Sequence, residues 1–113
     1  MGQYYRISIT KNDNMKLPRD LFLGFVKLHI LHHAGHEAIY GLWLIEELGR
    51  YGYRLSPGTL YPILHGLEQE KLLRSQRRVV QGKSRKYYSL TGIGRKALEA
   101  GKTKAQELLE ALT

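Results

Sequence analysis

Residues 56–68 read Ser56-Pro57-Gly58-Thr59-Leu60-Tyr61-Pro62-Ile63-Leu64-His65-Gly66-Leu67-Glu68, and the run opens with the chemistry of a helix start. A serine at position 56 can cap free backbone N–H groups, and Pro57 suits the first helical position, where its missing N–H costs nothing. Leu60, Ile63, Leu64 and Leu67 recur at helical spacing and form one apolar stripe. The opposite face begins with Gly58, Thr59 and Tyr61, small or hydroxylated, and continues to His65. No acid stands on this helix before Glu68. An uncharged, hydrogen-bonding amino end at the positive pole of the helix dipole suits close approach to a polyanion. A capped core helix with a merely solvated outer face would use the same letters, so this run alone leaves both readings open. Pro62 has no N–H to offer the Gly58 carbonyl and is expected to tilt the first turn.

The rest of the chain bears on that choice. Its 113 residues suffice for one domain with one modest core. Lys and Arg number 18 against 10 Asp and Glu, a net charge of +8, and the pI is near 9.8. Such a surplus points to an acidic partner, nucleic acid or an anionic membrane surface. Residues 71–104 hold most of it, with Glu99 as their single acid. The chain has no cysteine, which excludes disulfides and thiolate metal sites and suits an intracellular setting. Its first residues lack the apolar run of a signal peptide. The apolar run at residues 21–26 is ended by Lys27, far too short to span a bilayer. The expected setting is soluble and cytoplasmic, with no membrane partner.

In chain order, residues 1–18 form an arm. Residues 3–9 alternate loosely, as a short strand would, although an unordered terminus is the expectation. Asn12-Asp13-Asn14 reads as a turn. Residues 19–34 are helical in pattern and apolar almost all round, and Gly35 is read as the stop. A helix greasy on most faces must be covered on most faces, so a second subunit is expected over Phe22 and Phe25. His29/His33 and His32/His36 are i, i+4 pairs, the spacing at which two imidazoles can share a metal. The pairs point about 60° apart on the helical wheel and no third ligand is near in sequence. Interface or surface histidines are therefore expected, and no metal site.

A second helix is predicted over residues 39–50, with Leu42, Ile45 and Leu48 as its stripe, Trp43 and Leu44 beside it, and Glu46 and Glu47 facing water. Trp43 reads as core or interface rather than a stacking platform. Gly49 and Gly52 bracket the helix end. Helix, short glycine-containing turn, helix is the helix-turn-helix order. After Leu73 the period changes. Residues 74–81 and 85–90 read as strands around a Gly82-Lys83-Ser84 turn. An exposed hairpin kept soluble by charge needs charges, but not nearly all of one sign. Lys83 and Arg85 near the tip are placed to meet a phosphate backbone. Thr91 caps a last helix at residues 92–112. There Gly94, Leu98, Gly101, Ala105, Leu108 and Leu112 follow a heptad seam, and a homodimer is expected through Leu98, Ala105, Leu108 and Leu112.

Tyr40-Gly41, the Leu55 to Leu64 run, Leu67-Glu68, and Gly82-Lys83-Ser84-Arg85-Lys86-Tyr87-Tyr88-Ser89-Leu90-Thr91 with Gly94 occur in this order. Together they closely resemble the PadR family of bacterial and archaeal transcriptional regulators, over roughly residues 21–112. The resemblance implies a mainly α fold with a small β-hairpin, a winged helix-turn-helix domain at residues 19–91 and a dimerisation helix at residues 92–113. It implies a homodimer that represses transcription by binding an inverted-repeat operator in double-stranded DNA, released in some members by a small-molecule effector at the dimer interface. Ser56, Gly58, Thr59 and Tyr61 would then form the amino end of the recognition helix, with His65 a further base-reading candidate and Lys83 and Arg85 the wing contacts. Some drug-binding members stack ligands on a Trp in the last helix, whereas the single Trp43 lies in the second. No glycine-rich phosphate loop, activated nucleophile or paired carboxylates stand out, so neither catalytic residues nor a cofactor is expected. The rival readings are a winged-helix module for RNA or protein, and a metal-responsive regulator built on His29 and His33.

Overall fold

The computed structural model describes residues 4–7 and 15–113. Strand β1 (Tyr4–Ile7) pairs antiparallel with β2 (Met15–Pro18), with Tyr4 opposite Pro18 and Ile7 opposite Met15. The alternation within residues 3–9 matches β1, whereas its pairing with β2 has no signal in the sequence. The Asn12-Asp13-Asn14 turn lies outside the described residues. Helix α1 (Arg19–His36) follows, then the two-residue strand β3 (Ile39–Tyr40), α2 (Gly41–Arg50), α3 (Pro57–Gln69), the hairpin strands β4 (Leu73–Val80) and β5 (Lys83–Leu90), and α4 (Gly92–Leu112). The second sheet is antiparallel, ordered β3-β5-β4. The fold is a winged helix-turn-helix with a C-terminal helix, mainly α with a small β-hairpin.

The core lies where α1, α2 and α3 meet the base of the hairpin. Phe22, Val26, Ile30, Leu44, Leu48, Leu60 and Leu64 are wholly buried there, beside Leu73 and Tyr88. The stripe expected on α3 is the buried one: Leu60, Ile63, Leu64 and Leu67 all face inward. Both helices of the helix-turn-helix end in the same way. At the end of α2 the Tyr53 N–H donates to the Leu48 carbonyl and the Gly52 N–H to the Gly49 carbonyl, with Gly52 at φ +89°, the paired hydrogen bonds of a Schellman cap. At the end of α3 the Leu72 and Lys71 N–H groups bond the Leu67 and Glu68 carbonyls likewise, but the left-handed position is Lys71, at φ +65°.

Four expectations need correction. Gly35 does not stop α1, which runs to His36. A Cβ at Gly35 would lie 3.1 Å from Leu90 Cδ2 and 3.6 Å from Leu98 Cδ2, so the glycine lets α1 pass close to the hairpin and α4. Leu42 is not on the buried stripe of α2 but is 60% exposed. Ile39-Tyr40 are drawn off into β3, and the helix buries Gly41, Leu44 and Leu48 instead. The hairpin turn is Gln81-Gly82, with φ of +53° and +78°, as a two-residue turn of the I′ kind requires. Lys83 and Ser84 therefore belong to β5, opposite Val80 and Val79. Finally Phe22 and Leu98, expected at a subunit contact, are 0% and 5% exposed inside the protomer's own core.

Candidate nucleic-acid interface

Ser56 caps α3 as its chemistry dictates. Its Oγ accepts from the Thr59 N–H at 3.3 Å and donates to Thr59 Oγ1 at 3.3 Å. No acid stands in the first turn. With about 100° between successive residues, the buried leucines leave an exposed arc on α3. It runs from Tyr61 and His65 on one margin, across Gly58 and Pro62, to Thr59 and Gly66 on the other.

The two margins face different neighbours. Tyr61 and His65 line a groove of about 550 Å³ whose other wall is the hairpin, with Arg77, Lys83, Ser84, Arg85 and Lys86, and which is closed by Tyr40, Gly41 and Leu42. Four predicted residues, Tyr61, His65, Lys83 and Arg85, thus meet on one surface. Gly58 and Thr59 border a separate depression of about 310 Å³ toward α1, beside Arg19 and Lys27. Ser56 stays at the cap.

The first groove is lined by cations and by no acid. Glu68, the nearest carboxylate on α3, is tied up elsewhere. Ser75 Oγ donates to its Oε2 at 2.6 Å and Lys86 Nζ lies 3.7 Å from its Oε1, so it braces α3 against both strands of the wing. The ladder sets Arg77 opposite Lys86 and Arg78 opposite Arg85. Like charges directly opposite on a sheet are destabilising. The arginines of the second pair sit on aromatic rings, Arg78 over Tyr87 at 4.8 Å and Arg85 over Tyr40 at 4.4 Å. Tyr61 is seated by Gly41, since a Cβ there would come within 2.6 Å of Tyr61 Cζ.

Tyr40, Arg77, Arg78 and Lys86 were absent from the predicted set. For Arg77, Arg78 and Lys86 the available signal was period-2 alternation along the hairpin, but using it needs the register, which changes when the turn is Gln81-Gly82 and not Gly82-Lys83-Ser84; Tyr40 lies off the hairpin, in β3.

Away from the groove, Ala105, Leu108 and Leu112 on α4 and Leu21, Phe25 and Leu28 on α1 line an apolar groove of about 530 Å³. The expected seam is therefore divided, Gly94 and Leu98 packing within the protomer and the distal residues facing outward. The histidines continue along the same side of α1, where His29 and His32 line an adjoining hollow with Phe25 and Leu28. His33 is buried, its ring 5.5 Å from that of Trp43 and 6.0 Å from His29, and its Nε2 has no hydrogen-bond partner among the described residues. Burial, then the neighbouring His32, holds both His29 and His33 below the usual imidazole pKa, with Glu47 opposing. Among the described residues no group of three or more His, Asp or Glu is placed to hold a metal ion.

The profile of the transcriptional regulator PadR-like family matches residues 30–100. The chain belongs to the PadR-like family. A Mycobacterium tuberculosis protein named transcriptional regulator Rv3488 is 53% identical over 83 residues, 74% of this chain and 78% of that one. The crystal structure of a PadR-like transcriptional regulator from Bacillus cereus aligns with a TM-score of 0.76 at 28% identity, over 82% of this chain and 92% of the other. A Streptococcus transcriptional regulator aligns with a TM-score of 0.75 at 28% identity, over 81% and 92%. This PadR-like chain is thus a transcriptional regulator of a DNA-binding family and not an enzyme. The matched span takes in α2, α3 and the whole wing, the elements that build the cationic groove. Among its described residues no helix is long and apolar enough to cross a membrane.

Proposed function

We propose that the protein is a cytoplasmic, homodimeric repressor that binds an inverted-repeat operator in double-stranded DNA. The observation that carries this reading is the acid-free groove between the Tyr61–His65 margin of α3 and the cations of the wing. Phosphate contacts from the wing and from the capped end of α3 fix the register. Tyr61 and His65, with Thr59 on the far margin, are the side chains placed to reach base edges. None is an Arg, Asn or Gln, so selectivity leans on the shape and deformability of the duplex.

A second copy supplies the cover for the α1/α4 groove, through Phe25, Ala105, Leu108 and Leu112. Twofold pairing along α4 then carries two α3 helices to successive major grooves about 34 Å apart, or a multiple of that. The same wall continues past Phe25 and Leu28 to His29, His32, Tyr51 and Lys102. A small-molecule effector bound there would release DNA by changing the spacing of the two α3 helices.

Selection of bound duplexes from a random pool, followed by gel shifts against single strands and structured RNA, tests the reading. A palindromic duplex consensus is the expected result. Failure to bind any duplex in dilute buffer refutes it, and preference for RNA transfers the groove to an RNA-binding winged helix.

A further inference from the structure

Tyr40-Gly41 belongs to the pattern shared with the family, yet neither base reading nor phosphate contact, as proposed above, gives Tyr40 a task. Strand β3 is two residues long. Ile39 points into the core, 2% exposed. Tyr40 therefore lies on the opposite face of the sheet, next to its ladder partner Tyr87. On that outer face the β4–β5 ladder also places Arg78 directly across from Arg85.

Two guanidiniums at facing positions repel, and ordinary sheets avoid the pairing. Here each is held against a ring. The Arg85 guanidinium carbon is 4.4 Å from the centre of Tyr40 and that of Arg78 is 4.8 Å from the centre of Tyr87. The two rings meet edge to face, 5.3 Å apart with 63° between planes. The result is a continuous row, Arg85–Tyr40–Tyr87–Arg78. A guanidinium resting its face on a ring keeps its N–H edge free for a two-pronged acceptor. Within the described residues, neither arginine meets a carboxylate that would neutralise it.

We propose that this row is a phosphate clamp: Arg78 and Arg85 grip the DNA backbone side by side, and Tyr40 and Tyr87 are the positioning residues that hold them there. The proposal rests on the DNA-binding reading above and adds to it both the partner of Arg85 and the work of Tyr40. The ligand is the backbone phosphate of a duplex, so the clamp supplies affinity without sequence preference, and its contribution falls with salt. Lys83 shares the outer face nearer the turn, whereas Arg77 and Lys86 occupy the other face of the ribbon. The wing thus presents cations on both sides.

The test is titration of a labelled duplex over a range of NaCl concentrations with wild type, Arg78→Ala, Arg85→Ala, Tyr40→Phe, Tyr40→Leu and the Tyr40→Leu/Arg85→Ala double variant. Each arginine variant is expected to flatten the log K against log[salt] slope by about 0.9. Tyr40→Leu should flatten it as much as Arg85→Ala does, the double variant no further, and Tyr40→Phe should keep the wild-type slope because the ring is retained. In DNA-free protein, the Arg85 side-chain protons should be shifted upfield by the ring in NMR spectra of wild type and Tyr40→Phe.

Arginine variants that bind with the wild-type slope overturn the clamp while leaving DNA binding in place. So does a Tyr40→Leu variant that binds more weakly at an unchanged slope, the mark of a merely structural tyrosine. Should Tyr40→Leu fail to fold, the arginine slopes and the wild-type spectrum decide, and an unshifted Arg85 overturns the proposal. Wild type without duplex affinity at low salt instead refutes the DNA reading itself.

Discussion

Replacing Leu108 with Glu separates the fold of the protomer from its pairing. Leu108 is 52% exposed and Leu112 is 73% exposed, on the α4 face that adjoins the exposed Leu21 and Phe25 of α1. Full burial of a leucine contributes about 1.5–3 kcal/mol, so the half still open at Leu108 is worth about 1 kcal/mol in each copy, or about 2 kcal/mol across a twofold axis. A carboxylate in its place must be desolvated or drawn out of the contact, which raises the cost to about 2–4 kcal/mol. At 1.4 kcal/mol per decade, dimer dissociation should strengthen roughly 30- to 1,000-fold. Thermal unfolding of the monomeric variant should still be cooperative, because no core contact is lost. Sedimentation equilibrium over a concentration series reads the association directly, and operator titration should weaken in parallel. Leu98→Ala is the contrast, since Leu98 is 5% exposed in the core and its truncation should cost about 2–5 kcal/mol of folding stability. A Leu108→Glu protein that pairs with the wild-type constant would show that the α1/α4 groove is not the contact. A wild-type protein that is monomeric throughout the micromolar range would refute the homodimer altogether.

Two further outcomes follow from packing and titration. A Cβ at Gly94 would press into the Leu72 carbonyl oxygen and come within 2.7 Å of Leu90 Cδ1, and that carbonyl already accepts the Thr91 N–H at 3.1 Å. Gly94→Ala should therefore lose about 1–3 kcal/mol by overpacking, whereas Gly66→Ala, with open space around it, should gain up to about 1 kcal/mol of helix propensity; equal melting temperatures would contradict the packing. Because burial lowers the pKa of His33 and His29 in the folded state, the unfolded chain takes up protons first on acidification. The stability they contribute is complete above the unfolded imidazole value of about 6.5 and is lost as pH falls through the lower folded value. Urea denaturation of His33→Leu should show a smaller acid loss than wild type, and an undiminished loss would remove His33 from the account.

Helix α3 was legible because its signals are local. A hydroxyl cap, a proline at the first position and leucines at helical spacing do not depend on the rest of the chain. The same holds for Thr91, whose Oγ1 accepts from the Gly94 N–H at 2.9 Å. What could not be read was set by distant neighbours. Gly35 looks like a helix stop until Leu90 and Leu98 arrive beside it. Leu42 looks like core until Ile39-Tyr40 are taken into a sheet with β5. Phe22 and Leu98 have the pattern of an interface, yet the chain buries them against its own elements, and heptad spacing does not distinguish a neighbour in the same protomer from one in another. On the wing, charge sign was plain from composition, but which cations share a face depends on where the turn falls. Lys83 and Arg85 share theirs with Arg78, not with Arg77 and Lys86.

The distribution of local cost also bears on function. Apart from the unpartnered Nε2 of His33, the described part of the three-helix core follows local preference, with a capped α3, a glycine at the left-handed position after α2 and an uninterrupted apolar stripe on α3. The hairpin and its root violate one preference after another. Lys71 and Gln81 hold positive φ, Arg78 faces Arg85, and Arg77 faces Lys86. Val79, at 75% exposure, turns an apolar side chain to solvent near the tip. Conflict between local preference and global fold tends to collect where a protein carries out its function rather than where it holds itself together. A hairpin selected for stability alone would put an acid opposite each of those arginines, and Glu68 already offers a carboxylate to Lys86 nearby. In the clamp proposed above, the negative charge missing from the outer pair is the one that the DNA backbone brings.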